Sequence, residues 1–172
     1  MRKGKIPAGA AATGAVSAAP AIPAIGEGKR GEGGYLGYLL RQAAGGFRLR
    51  LERDLADLQV TQPQFVVMTM IAAYPGASNA DLARLAVLTP QTLSTIISNL
   101  LRAGIVTRRP HAVHGRIQQV ELTESGQDLL AKCRQRVAHL DAHLTTGLTA
   151  QEEEAVRRWL VAVALMGKAE PA

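Results

Sequence analysis

The sequence predicts a mainly α-helical chain of about six helices carrying one small β-hairpin, and three observations carry that prediction. From Tyr35 onward, apolar residues recur at steps of three and four almost without interruption. Two short β-branched runs, Ile105–Arg109 and Ile117–Leu122, break that period once. Ser or Thr stands ahead of each helical stretch after the first, and at all of them but Thr123 it is joined by Pro at the first helical position or an acidic or amide side chain at the third, the arrangement that caps helix starts.

Composition narrows the function classes. The 172 residues suit one domain of ordinary size, with a formal net charge of +6 and a pI near 10.0, which favours an anionic partner. Aromatic residues make up only 3%, too few for single-strand binding by base stacking, so duplex DNA read through grooves and phosphates fits better. The single cysteine, Cys133, excludes a disulfide framework and points to the cytoplasm. No stretch reaches the about 18 apolar residues that span a bilayer, so no membrane partner is expected. There is no phosphate-cradling glycine loop, no local Ser-His-Asp motif and no paired-cysteine metal spacing, so neither an enzyme nor a cofactor or metal site is expected.

Residues 1–34 are rich in Ala, Gly and Pro, without usable apolar periodicity, and read as a disordered, mobile tail. A secretory leader fits poorly, because the stretch lacks Leu and Phe and is broken by Gly9, Gly14 and Pro20. A long first helix follows, with Leu36, Leu40, Ala43, Phe47, Leu51, Leu55 and Leu58 on one stripe. The second starts at the Thr61 to Gln64 capping box, stops at Pro75-Gly76 and turns Phe65, Met68, Ile71 and Ala72 inward.

Two short helices then flank a turn. Ser78 caps the first, which points Leu82 and Leu85 inward, and Val87-Leu88 forms the turn. Thr89 caps the second with Pro90 behind it, and Leu93, Ile96, Ile97, Leu100 and Leu101 make one face apolar before Gly104 ends the helix. This is a helix-turn-helix by spacing, and the hairpin after it, with Pro110 to Arg116 at its tip, makes it winged. Residues 82–120 hold five arginines, Arg84, Arg102, Arg108, Arg109 and Arg116, and no Asp or Glu, the footprint of a phosphate-binding surface.

That geometry assigns roles. Side chains at the start of a recognition helix reach base edges, which makes Gln91, Thr92 and Thr95 the base readers. Thr89, Ser94, Ser98, Arg84 and Arg102 are placed for phosphates, and Thr89 serves chiefly as a cap. Arg108 belongs to the basic hairpin, and Arg116 at its tip suits a narrow, A/T-rich minor groove.

After the hairpin, Thr123 caps a helix whose seam is Leu130, Cys133, Val137, Leu140 and Leu144. The last helix opens with a second capping box, Thr149 to Glu152, and turns Val156, Trp159, Leu160 and Val163 inward. Glu152, Glu153 and Glu154 are explained by the helix dipole. Cys133 on an apolar seam reads as inert rather than redox-sensing, and His139 and His143, spaced i,i+4, read as solvated rather than metal-binding.

Three stretches, Thr89-Pro-Gln-Thr-Leu-Ser94, Leu101-Arg-Ala-Gly-Ile-Val-Thr-Arg-Arg-Pro110 and Leu122-Thr-Glu-Ser-Gly126, together resemble the MarR family of bacterial winged-helix regulators. The order and spacing hold from about Tyr35 to Gly167. The family's wing pattern of Asp, any residue and Arg, followed by five residues and Leu-Thr, is met by Arg116 and Leu122-Thr123, with His114 in the Asp position. The replacement removes a carboxylate that would orient the wing arginine, and His111 and His114 add potential positive charge at mildly acid pH. The resemblance implies a homodimer in which residues 35–60 and 123–172 supply dimerisation helices and residues 61–122 the DNA-binding unit. It also implies double-stranded palindromic DNA as partner and a small aromatic effector that weakens DNA binding. A winged-helix module used only for protein interaction and a non-specific DNA-coating protein are the alternatives.

Overall fold

The computed structural model describes residues 22–110 and 118–167, the side chain of Gln118 excepted. Among them run helices α1 (Leu36–Leu55), α2 (Gln62–Ala73), α3 (Asn79–Leu85) and α4 (Pro90–Arg102), strands β1 (Val106–Pro110) and β2 (Gln118–Leu122), and helices α5 (Glu124–Leu144) and α6 (Ala150–Met166). The chain divides into two compact units, Met1–Ala43 and Ala44–Ala172.

In the described part of the first unit, a short 3-10 turn at Gly28–Arg30 precedes α1. Arg30 Nε donates to Gln42 Oε1 at 3.3 Å, and Gln42 Nε2 returns a bond to the Arg30 carbonyl at 3.0 Å. Residues 22–34, expected to belong wholly to a structureless tail, therefore carry local order at Gly28–Arg30, while residues 1–21 lie outside the described part.

The described residues of the second unit pack around one apolar core. The expected helix to Leu58 ends as an α-helix at Leu55 and tightens into a 3-10 turn over Ala56–Leu58, which Gln59 closes in the left-handed region at φ 54°. Thr61 caps α2, its hydroxyl accepting from the Gln64 amide while Gln64 Oε1 accepts from the Thr61 amide at 2.9 Å. The inward stripe of α2 differs from the expected one: Val67 is fully buried beside Met68 and Ile71, whereas Ala72 is exposed. On a helix apolar nearly all round, period alone does not choose the face.

Ser78, Thr89, Thr123 and Thr149 each cap the helix behind them, accepting from the amide three residues on. The hairpin is antiparallel, with Val106 opposite Leu122, Arg108 opposite Val120 and Arg109 opposite Gln119. Its base is locked to α5, where the Thr123 hydroxyl donates to the Gly104 carbonyl at 2.7 Å. Gly126 permits that approach, since a Cβ there would lie 2.0 Å from the Ile105 carbonyl oxygen. Leu130, Cys133 and Leu140 of α5 reach the core, but Leu144 does not. No residue of α6 is buried: Val156, Trp159 and Leu160, expected inward, are each at least 40% exposed in the single chain.

Candidate nucleic-acid interface

The recognition element is α4, and its two faces divide by chemistry. Leu93, Ile96, Ile97 and Leu100 are all at most 8% exposed and join one core cluster with Leu82, Val106 and Val120. The opposite face holds Gln91, Thr92, Ser94, Thr95 and Ser98, all exposed. Because the buried face fixes rotation about the helix axis, the exposed side chains are presented as a group without further support.

Local bonds set the start of that face. Thr89 Oγ1 accepts from the Thr92 amide at 3.1 Å and shares a 2.8 Å contact with Thr92 Oγ1, which ties both hydroxyls to the helix start. Thr95 Oγ1 donates to the Gln91 carbonyl at 3.1 Å. Gln91, Ser94 and Ser98 have no side-chain bond among the described residues.

The arginines are arranged differently from a bare basic surface. Asp81 and Glu121 stand just outside the acid-free window, and each folds onto one of its arginines. Arg84 pairs with Asp81, and Arg109 Nε lies 3.1 Å from Glu121 Oε2. Arg102 bonds the Asn99 side-chain carbonyl. The Asp81 carboxyl is held below its usual pKa, first by the Ser78 hydroxyl donating at 2.6 Å and then by Arg84. Both ion pairs are solvent-exposed, so they cost little to break when a phosphate competes. Arg108 is exposed on β1. Arg116, His111 and His114 lie outside the described residues.

The remaining candidates fall away from this face. No cluster of metal ligands exists among the described residues. His139 and His143 are both exposed, as expected; His139 also places Nε2 3.0 Å from Asp54 Oδ2, while His143 meets the His139 carbonyl through Nδ1 at 3.1 Å. Cys133 is fully buried, and burial pushes its thiol pKa up. Two cavities, of ≈ 460 and ≈ 450 Å³, open between α2 and α5, and Arg134 lines both. No described helix is long and apolar enough to cross a membrane.

The sequence profile of the MarR family matches residues 60–118, from the start of α2 into β2. Over 125 residues the chain is 35% identical to the HTH-type transcriptional repressor Rv2887 of Mycobacterium tuberculosis, covering 73% of this chain and 90% of that protein. The chain belongs to the MarR family of transcriptional regulators. The transcriptional regulator HosA of Escherichia coli is 33% identical over 67% of this MarR-family chain and 84% of its own length. Among solved structures, Rv2887 in complex with salicylic acid matches at a TM-score of 0.60 and 34% identity, covering 75% of this chain and 96% of that one. A mutant MarR from E. coli complexed with operator DNA matches at 0.67 and 27% identity, covering 74% and 92%. These neighbours share the winged helix-turn-helix architecture, so this chain is a mainly α-helical MarR-type fold with a two-stranded wing.

Sequence reasoning missed one polar contact of the wing. Gln119 on β2 donates from Nε2 to the Gly76 carbonyl at 3.1 Å, across 43 residues of sequence. No local pattern signals such a bond.

Proposed function

We propose that this MarR-family regulator is a homodimeric, ligand-responsive repressor that binds a palindromic operator in double-stranded DNA. The observation that carries the reading is the division of α4 into a wholly buried apolar face and an acid-free exposed face of Gln, Thr and Ser. Gln91, Thr92 and Thr95 read base edges in the major groove, Gln91 with the bidentate geometry that suits adenine. Thr89, Ser94, Ser98, Arg84 and Arg102 hold phosphates, while Arg108 and Arg116 bring the wing to the adjacent backbone and minor groove. The E. coli relative complexed with operator DNA supports a duplex partner for the same fold.

Residues 35–60 and 123–172 supply the dimer and residues 61–122 the DNA-binding unit, with residues 1–34 as a tail. The apolar side chains that α6 leaves exposed support this division, since burying them needs a second surface. A two-fold dimer presents two copies of α4 and reads half-sites about one helical turn apart. The salicylic acid complex of Rv2887 supports a small aromatic effector, and the cavities beside Arg134 are large enough to admit one. The protein acts in the cytoplasm and controls transcription without catalysing a reaction.

The test is competition binding on genomic fragments, including DNA flanking its own gene, against excess random duplex at about physiological salt. Selective retention of a palindromic fragment by a factor of about 10³ or more is expected. Equal, salt-sensitive binding to every fragment would leave a charge-driven coating protein instead, and no binding would leave a protein-interaction module.

A further inference from the structure

We propose that Gln119 is a positioning residue for the wing, latching β2 to the turn after α2 and thereby fixing the angle of the hairpin relative to α4. The inference rests on the DNA-binding reading above.

A two-stranded ribbon has little stability of its own and takes its direction from whatever grips it. Here the apolar grip is confined to the base. Along β1, Val106 is buried, Thr107 is half-buried, and Arg108, Arg109 and Pro110 are exposed. On β2, Val120 at 4% exposure is the last buried residue before the tip among those described. Beyond that point, the bond from Gln119 Nε2 to the Gly76 carbonyl is the outermost described tie between the ribbon and the helical body.

The receiving end is shaped for this contact. Gly76 adopts φ +82°, a left-handed conformation that closes the turn after α2 and turns its carbonyl toward β2. A Cβ at this glycine would lie 3.0 Å from Gln119 Nε2, so the absent side chain leaves the room the amide occupies. On the ribbon, Gln119 lies directly opposite Arg109, whose guanidinium pairs with Glu121 on the same face. The latch and the cross-strand ion pair therefore brace one face together: the first sets its angle to the body, the second holds the strands to each other. Because the same turn leads through Ser78 into α3, the wing and the helix-turn-helix share one fixed point.

Gln119→Met keeps the length and neutrality of the side chain and removes the donor. The duplex that the unsubstituted protein selects from genomic fragments serves as probe, with affinity measured over a range of salt concentrations. Losing one hydrogen bond's worth of orientation is expected to weaken binding about fivefold. The salt dependence should become shallower by about one released counterion for each phosphate that the wing no longer reaches. A purely structural role would lower the folded fraction and leave that slope unchanged. Weaker binding with an unchanged slope, or affinity and slope both unchanged, would overturn the latch. Failure of the unsubstituted protein to select any duplex would instead sink the DNA-binding reading.

Discussion

Ile97→Ala separates the two faces of α4. Ile97 is 1% exposed and packs in the same cluster as Leu93, Ile96 and Leu100, so truncation removes three carbons from a closed site. At about 0.8 kcal/mol per buried carbon the transfer loss is about 2.4 kcal/mol, and the cavity left behind brings the cost within about 2 to 5 kcal/mol. For a chain of this size a loss of about 3 kcal/mol lowers the melting midpoint by about 6 to 12 °C. The assay is thermal unfolding followed by circular dichroism at one fixed protomer concentration, since dimerisation makes the midpoint concentration-dependent. Gln91→Ala, six residues back on the exposed face, is the control and should stay within about 0.5 kcal/mol. An unchanged midpoint for Ile97→Ala would show that α4 is rotated from its assigned orientation, and the assignment of the exposed readers would fall with it.

Three further outcomes are expected. Val87, in the turn between α3 and α4, holds φ 55° at 90% exposure, a conformation that penalises a β-branched residue; Val87→Asn should raise stability by about 1 kcal/mol in urea unfolding, and a loss would show that the left-handed turn is not strained. Trp159 is the single tryptophan and is 40% exposed in the isolated chain. If α6 pairs with a second copy, Trp159→Glu should shift sedimentation from dimer to monomer, whereas an intact dimer would exclude that face from the interface. Cys133, buried with a raised thiol pKa, should resist maleimide at neutral pH and react on denaturation; rapid labelling of the folded protein would reopen a redox role.

The sequence showed α4 most clearly because its apolar positions, caps and terminal glycine all specify the same helix and the same face. In α2 the same approach misplaced one position, because Val66, Val67, Met68, Met70 and Ile71 surround the axis and only tertiary packing selects Val67 over Ala72. For α6 the amphipathic stripe was legible but not its partner, since the described residues of a single chain leave Trp159 40% exposed. Charge counting within residues 82–120 missed the neutralising effect of Asp81 and Glu121, which reach Arg84 and Arg109 through a helix turn and a strand pairing. Gln119 was silent for the same reason: its partner lies 43 residues away, and a lone amide in a strand has no periodicity to betray it.

The central claim is that the exposed face of α4 reads sequence. It is tested most directly by substituting each base pair of the selected duplex in turn and measuring binding of the unsubstituted protein and of Gln91→Ala. Gln91→Ala is expected to lose discrimination at one symmetric position in each half-site by about 1 to 3 kcal/mol and to keep it elsewhere. A specificity profile identical to that of the unsubstituted protein would contradict it.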